Sequence, residues 1–291
     1  LFFGNERLVS GLKKTNAPVL RALIEHGYTI AAVVSHHTDG QSRSNRPLEV
    51  AEIAEKHGIP VFLPNKPAEI IDTLAHFNAE AAILVAYGRI IPQRVIDLFP
   101  KGIINIHPSL LPTYRGPTPI ESAIANGDAK TGVSIMQLTA GMDEGPVYAQ
   151  TSIDLKGTET KFDLYDTLAT KSTKLLIDSL PSILDGSLLP TSQDDSQATY
   201  CQLLTKADGQ LDPSTQTAMQ AERLVRAYLG FPKTNLHIGD HTIIITKAHI
   251  TEQPSTALDI RFKEGYLGID ELIAPSGRVM TAEAFLRGYT V

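Results

Sequence analysis

With 291 residues, of which 42% are hydrophobic and 20% charged, the sequence has the length and composition of a globular protein with one large domain or two ordinary ones. Its formal net charge of −6 excludes a uniformly basic nucleic-acid-binding protein, but not a local basic patch. The one cysteine, Cys201, excludes a disulfide framework and a cysteine-based zinc site. Because the sequence contains no run of 18 apolar residues and no signal-peptide pattern, we expect a cytoplasmic protein without a membrane span.

The first 150 residues alternate short apolar runs with amphipathic helical patterns. Five apolar runs predict strands, at residues 1–4, 30–35, 60–63, 81–88 and 101–107. Three segments between them predict helices, at residues 17–26, 48–57 and 67–77. Strands that are apolar throughout and alternate with helices are typical of a parallel sheet covered on both faces. We therefore predict an α/β fold with a doubly wound, mostly parallel sheet.

The pattern changes after residue 130. Residues 131–139 and 146–154 predict an antiparallel pair of strands, and residues 161–185 predict one long helix. We predict a linker over residues 186–205, since most of it is rich in Ser, Pro, Gln and Asp and lacks an apolar period. The first domain would then span residues 1–185.

Residues 206–291 predict a second domain of a different kind. A helical pattern at residues 217–229 precedes short strand patterns that Gly, Asp and Pro separate. These strands are predicted at residues 234–239, 241–250, 257–262 and 265–270. The segment therefore predicts a smaller, mainly β domain with the strand pattern of a barrel.

Two polar residues, Asn105 and His107, end the fifth predicted strand. Residues i and i+2 of a strand share a face, so both side chains point the same way at the edge where parallel sheets bind ligands. Pro108 restricts His107 to an extended backbone, and Pro112 does the same for Leu111. We expect the amide and the imidazole to be held rigidly.

An amide beside an imidazole suits acyl transfer, which needs hydrogen-bond donors for a developing negative oxygen and a group that moves protons. A carboxylate would complete the set, and Asp143 lies between Gly141 and Gly145 in the loop that joins the later two strands. Each feature alone is also typical of ordinary structure. A lone Asn-x-His pair at a strand end is more often structural or incidental than functional, and an Asp between glycines is most often a turn residue.

In combination these residues resemble the folate-dependent formyltransferases. The resemblance rests on Asn105 and His107, on the SLLPTYRGPTPI segment that follows them, and on Asp143 within GMDEG. It is most extensive with the branch of that family that formylates methionyl-tRNA. The similar segments are VAYGRIIP (85–92), INIHPSLLPTYRGPTPI (104–120), TGVSIMQLTAGMDEGPV (131–147), TYCQLLTKADGQLD (199–212) and LIAPSGRVMTAEAFLRG (272–288). The resemblance therefore covers nearly the whole chain.

The resemblance implies a Rossmann-like first domain, an OB-like second domain, and transfer of the formyl group of 10-formyltetrahydrofolate to the methionyl amine of initiator tRNA. It implies that Asn105 and His107 stabilise the tetrahedral intermediate, while Asp143 tunes His107 and assists proton transfer. It implies no metal. The residues that match the folate-binding positions are Ser109, Leu110, Leu111, Pro112, Val85, Ala86, Tyr87 and Gly88.

The family binds initiator tRNA through basic groups, and this sequence has few of them. Residues 206–291 contain 9 Lys and Arg against 10 Asp and Glu, so a tRNA surface must be a local patch. The loop at residues 35–47, which is basic in the family, has two arginines here. Candidates for phosphate contacts are Arg43, Arg46, Lys206, Arg223, Arg226 and Lys233. We expect the protein to act on tRNA and folate as a monomer.

Three alternatives remain open from the sequence. A formyltransferase that acts on an amino sugar nucleotide or on glycinamide ribonucleotide would keep the same polar trio, which is Asn105, His107 and Asp143. A nucleotide-dependent dehydrogenase is disfavoured, because the first turn, FFGNERLVSG, lacks the G-x-G-x-x-G pattern. A folate- or RNA-binding module without activity would not need the intact trio.

Overall fold

A seven-stranded mixed sheet organises the first half of the chain in the computed structural model, which describes residues 1–12, 14–36 and 48–290. Its strands lie in the order β3-β2-β1-β4-β5-β6-β7. The first five strands are parallel, whereas β6 and β7 run antiparallel to their neighbours. Their bounds are β1 (Phe2–Gly4), β2 (Val33–Val34), β3 (Val61–Phe62), β4 (Ala82–Val85), β5 (Ile103–His107), β6 (Lys130–Gln137) and β7 (Val147–Asp154).

Helices cover both faces of this sheet. Because successive residues of a strand point to opposite faces, Phe2 packs in one apolar cluster and Phe3 in another. The cluster around Phe2 includes residues of α1, α2, α5 and α6, and the cluster around Phe3 includes residues of α3 and α4. This arrangement confirms the predicted doubly wound α/β fold. The helices are α1 (Pro18–Glu25), α2 (Glu49–Lys56), α3 (Ile71–His76), α4 (Gln93–Ile96), α5 (Pro119–Asn126) and α6 (Lys161–Asp185).

The strand order reverses between β1 and β4, which creates a crevice at their carboxyl ends. Gly4 ends β1 with a φ of 135° and lies against the backbone of Val85, the last residue of β4. A Cβ atom at residue 4 would overlap the carbonyl oxygen of Val85, so only glycine fits here. The carboxyl ends of β1 and β4 therefore lie side by side, and the loops that follow them border the crevice.

The second domain is mainly β, as predicted. Its five strands form one antiparallel sheet in the order β10-β11-β9-β8, with β12 paired to β11. Leu236, Ile243 and Leu267 of this sheet pack with Ala221 and Phe285 of two helices in a separate core. The elements are α7 (Ala218–Ala227), β8 (Thr234–Ile238), β9 (His241–Thr251), β10 (Asp259–Arg261), β11 (Tyr266–Ile273), β12 (Val279–Thr281) and α8 (Ala282–Gly288).

A buried lysine joins the two halves of the chain. The Lys161 ammonium donates to the Ser10 hydroxyl at 3.0 Å and to the Phe231 carbonyl of the second domain at 2.7 Å. It also lies 3.5 Å from the Glu121 carboxylate. Burial lowers the pKa of Lys161 to about 8, although Glu121 opposes that shift. Elsewhere along the interface, α5 packs against α7.

The structure differs from the sequence-based prediction at element ends and in four missed elements. The strand predicted at residues 81–88 ends at Val85, because Ala86 (φ 49°) and Gly88 (φ 70°) turn the chain. Residues 67–77 begin as a 3-10 helix before α3. The prediction missed α4, α5, β12 and α8. The start of α5 had a sequence signal, since Pro119 occupies the first turn, where proline is favoured.

We predict that Thr160→Ala lowers the free energy of unfolding by about 1 kcal/mol. The Thr160 hydroxyl accepts the Asp163 N–H, and the Asp163 carboxylate accepts the Thr160 N–H, so the substitution uncaps the 25-residue helix α6. Urea denaturation would measure the loss. Thr167→Ala, on the exposed face of the same helix, is the control and should change stability by less than about 0.5 kcal/mol. Equal losses in the two variants would contradict the prediction.

Candidate active site

A cleft of about 830 Å³ opens over the carboxyl ends of β1, β4 and β5. Its walls are largely apolar and include Leu84, Ile91 and Leu138. The polar residues Asn105, His107 and Asp143 all line it. A concave apolar site with a few convergent polar groups at a topological switch point has the features expected of a ligand-binding site.

Asn105 and His107 share one face of β5, as their i, i+2 spacing predicts, while Ile104 and Ile106 pack in the core on the opposite face. Asn105 is only 5% exposed, but its side chain borders the cleft. Within residues 1–12, 14–36 and 48–290, no hydrogen-bond partner engages its amide. The amide is therefore available to a ligand in the cleft.

The orientation of the His107 ring follows from its hydrogen bond. Nε2 lies 2.8 Å from the carbonyl oxygen of Tyr114, which can only accept, so Nε2 carries a proton. Nδ1 then faces Asp143, with its carboxylate Oδ2 at 3.7 Å. Because the first nitrogen is already engaged, Nδ1 is the nitrogen that can exchange a proton with a group in the cleft.

Asp143 reaches His107 from the loop between β6 and β7. Its backbone is left-handed, with a φ of 50°, which is unfavourable for a residue other than glycine. Its carboxylate Oδ2 accepts the Gly116 N–H at 2.9 Å. The structure thus brings Asn105, His107 and Asp143 to one end of the cleft.

The backbone of residues 114–116 contacts both His107 and Asp143, and sequence analysis assigned it no role. Tyr114 provides the carbonyl that binds His107, and Gly116 provides the N–H that binds Asp143. The predicted linker pairs with this segment. Arg115 N–H donates to the Thr199 carbonyl, and Cys201 N–H donates to the Arg115 carbonyl, both at 2.9 Å.

The turn after β4 forms another part of the cleft. Ala86, Tyr87 and Gly88 line it, whereas Val85 is buried beneath. The Tyr87 carbonyl lies 2.7 Å from Nε2 of His36, which connects the turn to the chain that follows β2. Burial raises the pKa of Tyr87 to about 12, so its hydroxyl stays protonated.

The SLLP segment supports the site from behind and does not line the cleft. The Ser109 hydroxyl donates to the Thr113 carbonyl at 2.5 Å. The Ser134 hydroxyl donates to the Ser109 carbonyl and accepts the Leu111 N–H. Leu110 packs near Gly132 of β6, and the Pro112 carbonyl accepts the Thr199 N–H. The segment therefore fixes the chain between His107 and residues 114–116.

Of the six basic residues predicted to bind tRNA, four lie in the described part of the chain. Arg43 and Arg46 lie outside the described residues. Arg223 donates to the Asn126 carbonyl, and Arg226 pairs with Glu222 through two hydrogen bonds and donates to the Glu159 carbonyl. Both arginines thus make contacts between the domains. Lys206 is exposed and Lys233 is half-buried, on neighbouring segments of the second domain.

The described part of the chain contains neither a cluster of metal-binding side chains nor a membrane-spanning helix. No group of three or more His, Cys, Asp or Glu side chains there is placed to hold a metal ion. No helix there is both long enough and apolar enough to cross a membrane.

Comparisons with known proteins agree with this geometry. The family model "Formyl transferase" matches residues 7–180, and "Formyl transferase, C-terminal domain" matches residues 203–290. A methionyl-tRNA formyltransferase of Halorhodospira halophila is 34% identical over 286 residues, which cover 93% of this chain and 92% of the relative. That of Chloroflexus aggregans is 41% identical over 219 residues, which cover 73% and 70%.

Solved structures show the same fold at lower identity. WlaRD, a sugar 3N-formyl transferase crystallised in the presence of dTDP and 5-N-formyl-THF, superposes with a TM-score of 0.68. It is 17% identical, and the match covers 94% of this chain and 95% of that one. Because both family models and full-length relatives at more than 30% identity match, this chain belongs to the formyl transferase family.

Proposed function

We propose that this chain is an enzyme that transfers the formyl group of 10-formyltetrahydrofolate to the amino group of methionyl initiator tRNA. The observation that carries the proposal is the convergence of Asn105, His107 and Asp143 at one end of the cleft. Relatives that are methionyl-tRNA formyltransferases, at 34% and 41% identity, support the choice of acceptor.

The cleft suits a reduced folate. Its volume of about 830 Å³ falls within the usual range for sites of cofactor-sized ligands. Ala86, Tyr87 and Gly88 would hold the pterin ring through their backbone groups, with Val85 packed beneath. The SLLP residues, Ser109, Leu110, Leu111 and Pro112, would act indirectly by fixing the chain behind His107. The bound folate supplies the activated formyl group.

Asn105 and His107 would stabilise the formyl oxygen as it becomes negative. The Asn105 amide offers an uncharged N–H donor, and one such donor is typically worth a factor of about 10² to 10³ in kcat. In the imidazolium form, Nδ1 of His107 would provide a second donor, since Nε2 is held by the Tyr114 carbonyl. Both donors sit on a rigid strand, so they need little reorganisation when the charge develops.

Asp143 would accept the proton that the attacking amine loses. Its carboxylate lies beside Nδ1 of His107, so it can keep that nitrogen protonated and accept the proton that the amine loses on attack. The amine nitrogen would form a bond to the formyl carbon, and the bond between that carbon and N10 of the folate would break. The proton lost by the amine would pass to N10, so tetrahydrofolate leaves as a neutral amine and no proton is gained or lost.

We also propose the division into a catalytic domain at residues 1–185, a linker at 186–205 and a second domain at 206–291. The two family matches, to residues 7–180 and 203–290, support it. The second domain would present Lys206 and Lys233 to tRNA phosphates, together with Arg43 and Arg46 of the first domain. Arg223 and Arg226 would act instead by joining the domains. Since one chain supplies the whole trio, we propose a monomer that acts in the cytoplasm.

An amino sugar nucleotide is a second possible acceptor. The observation that favours it is the fold shared with a sugar 3N-formyl transferase, but that protein is only 17% identical. The alternative is therefore less well supported than methionyl-tRNA, whose formyltransferases are 34% and 41% identical.

We predict that His107→Ala and Asp143→Asn each lower kcat for formyl transfer to methionyl-tRNA by about 10²- to 10⁴-fold. Each removes a group that moves or stabilises charge, and neither removes core volume from the apolar clusters. Formyl incorporation into the tRNA would measure kcat, with circular dichroism as a check of folding. Asp97→Asn, at a residue whose carboxylate contacts the exposed Gln93, is the matched control. A folded His107 or Asp143 variant with near-normal kcat would disprove these roles.

We predict that Lys206→Glu combined with Lys233→Glu weakens the binding of methionyl-tRNA and leaves kcat at saturating tRNA unchanged. Each lost phosphate contact should reduce the slope of log K against log salt by about 0.7 to 0.9. Binding titrations at several salt concentrations would measure the slope. Lys56→Glu combined with Lys171→Glu, at exposed positions of α2 and α6, makes the same change in net charge and is the control. An unchanged slope in the double variant would refute the patch.

A further inference from the structure

We propose that Gln193, in the predicted linker, is a positioning residue for the reaction, because it fixes the backbone of Asp143 so that the carboxylate faces His107. The inference deepens the proposed function and rests on it, since it presumes that Asp143 takes part in proton transfer. It assigns to the linker a part in catalysis in addition to its part in joining the domains.

The first observation is the contact between Gln193 and the Asp143 loop. The side-chain Nε2 of Gln193 donates to the carbonyl oxygens of Asp143 and Gly145, both at 2.7 Å. An amide NH₂ has two hydrogens, so both are used on this loop. These bonds hold a loop in which Asp143 has a φ of 50°, a conformation that is less favourable than right-handed backbone for a residue with a Cβ atom.

The second observation is that a buried arginine holds the amide in this orientation. Gln193 Oε1 accepts hydrogen bonds from Nε and Nη2 of Arg115, both at 3.0 Å. Arg115 is 1% exposed, and its guanidinium also binds Asp195 and the Tyr200 hydroxyl. A flipped amide would place its NH₂ against the guanidinium and its oxygen against two carbonyls, so only one orientation is allowed.

The third observation is that Gln193 and Gly116 both bind Asp143, and that Arg115 links the two. Gln193 joins the Asp143 backbone to Arg115, and the next residue, Gly116, donates its N–H to the Asp143 carboxylate at 2.9 Å. Asp143 is therefore held at its backbone by Gln193, which Arg115 holds in turn, and at its side chain by Gly116. Without the Gln193 bonds, the Gly116 N–H would be the one remaining hydrogen bond to Asp143 among the described residues, beside its pairing with His107.

The test is Gln193→Glu, which keeps the shape of the side chain and its acceptor for Arg115. The substitution replaces the NH₂ donor with a carboxylate oxygen that faces the two carbonyls, so it breaks the contact with the loop and adds a negative charge there. Gln197→Glu is the control, because it makes the same change in the same linker. Among the described residues, the Gln197 side chain bonds to Ser196 alone. Gln193→Met, which has neither donor nor added charge, is a second variant in case Gln193→Glu does not fold.

Three readouts would be taken on the full chain. The exchange rate of the Gly116 amide, followed by NMR without substrate, reports whether the carboxylate still accepts that N–H. The values of kcat and of KM for the folate separate positioning from binding. The pH profile of kcat reports the pairing of Asp143 with His107, which a merely structural role would not change.

We expect Gln193→Glu to exchange the Gly116 amide faster, to lower kcat by about 10- to 10²-fold with KM nearly unchanged, and to shift the acid limb of the pH profile. Gln193→Met should change all three in the same direction, and Gln197→Glu should match the wild type. A folded Gln193 variant with wild-type kcat and pH profile would overturn the inference, whether or not Gly116 exchange changes. If Asp143→Asn were itself active, the proposed role of Asp143 would fail instead.

Discussion

The position of two groups of the trio depends on three consecutive backbone residues, 114–116. The Tyr114 carbonyl determines that Nδ1 of His107 faces Asp143, and the Gly116 N–H holds the carboxylate that faces it. Between them lies Arg115. Among the described residues, its buried guanidinium donates hydrogen bonds only to the chain after α6. A buried guanidinium requires such partners, so this segment and the linker form one unit.

The chain that leaves the first domain therefore passes beside the candidate active site before it reaches the second domain. Residues 199–201 pair with 114–116 in the manner of an added strand, and Gln193 contacts the Asp143 loop. Beyond them, Lys161 and Arg226 fasten the second domain through carbonyls of Phe231 and Glu159. Although this segment has the polar composition of a linker, its hydrogen-bonding groups bind residues of the first domain.

The sequence was sufficient to predict the fold class, the long helix α6 and the shared face of Asn105 and His107, because apolar periodicity and strand alternation are local properties. It predicted poorly where distant contacts decide the structure. The linker pairs with a segment about 85 positions earlier, as in the Arg115–Tyr200 bond, and no local pattern encodes that. Strand ends were also missed, since the left-handed Ala86 gives no signal in the sequence. The SLLP segment was recognisable as a motif, but its position behind His107 could be seen only in the structure.

The most direct test of the proposed activity is the choice of acceptor. The wild-type chain would be given 10-formyltetrahydrofolate with equimolar methionylated initiator tRNA and an amino sugar nucleotide, and the formylated product identified by mass spectrometry. We expect formyl-methionyl-tRNA as the product. Formylation of the sugar alone would contradict the proposed function, because the trio would then serve a different acceptor and the second domain would not select tRNA.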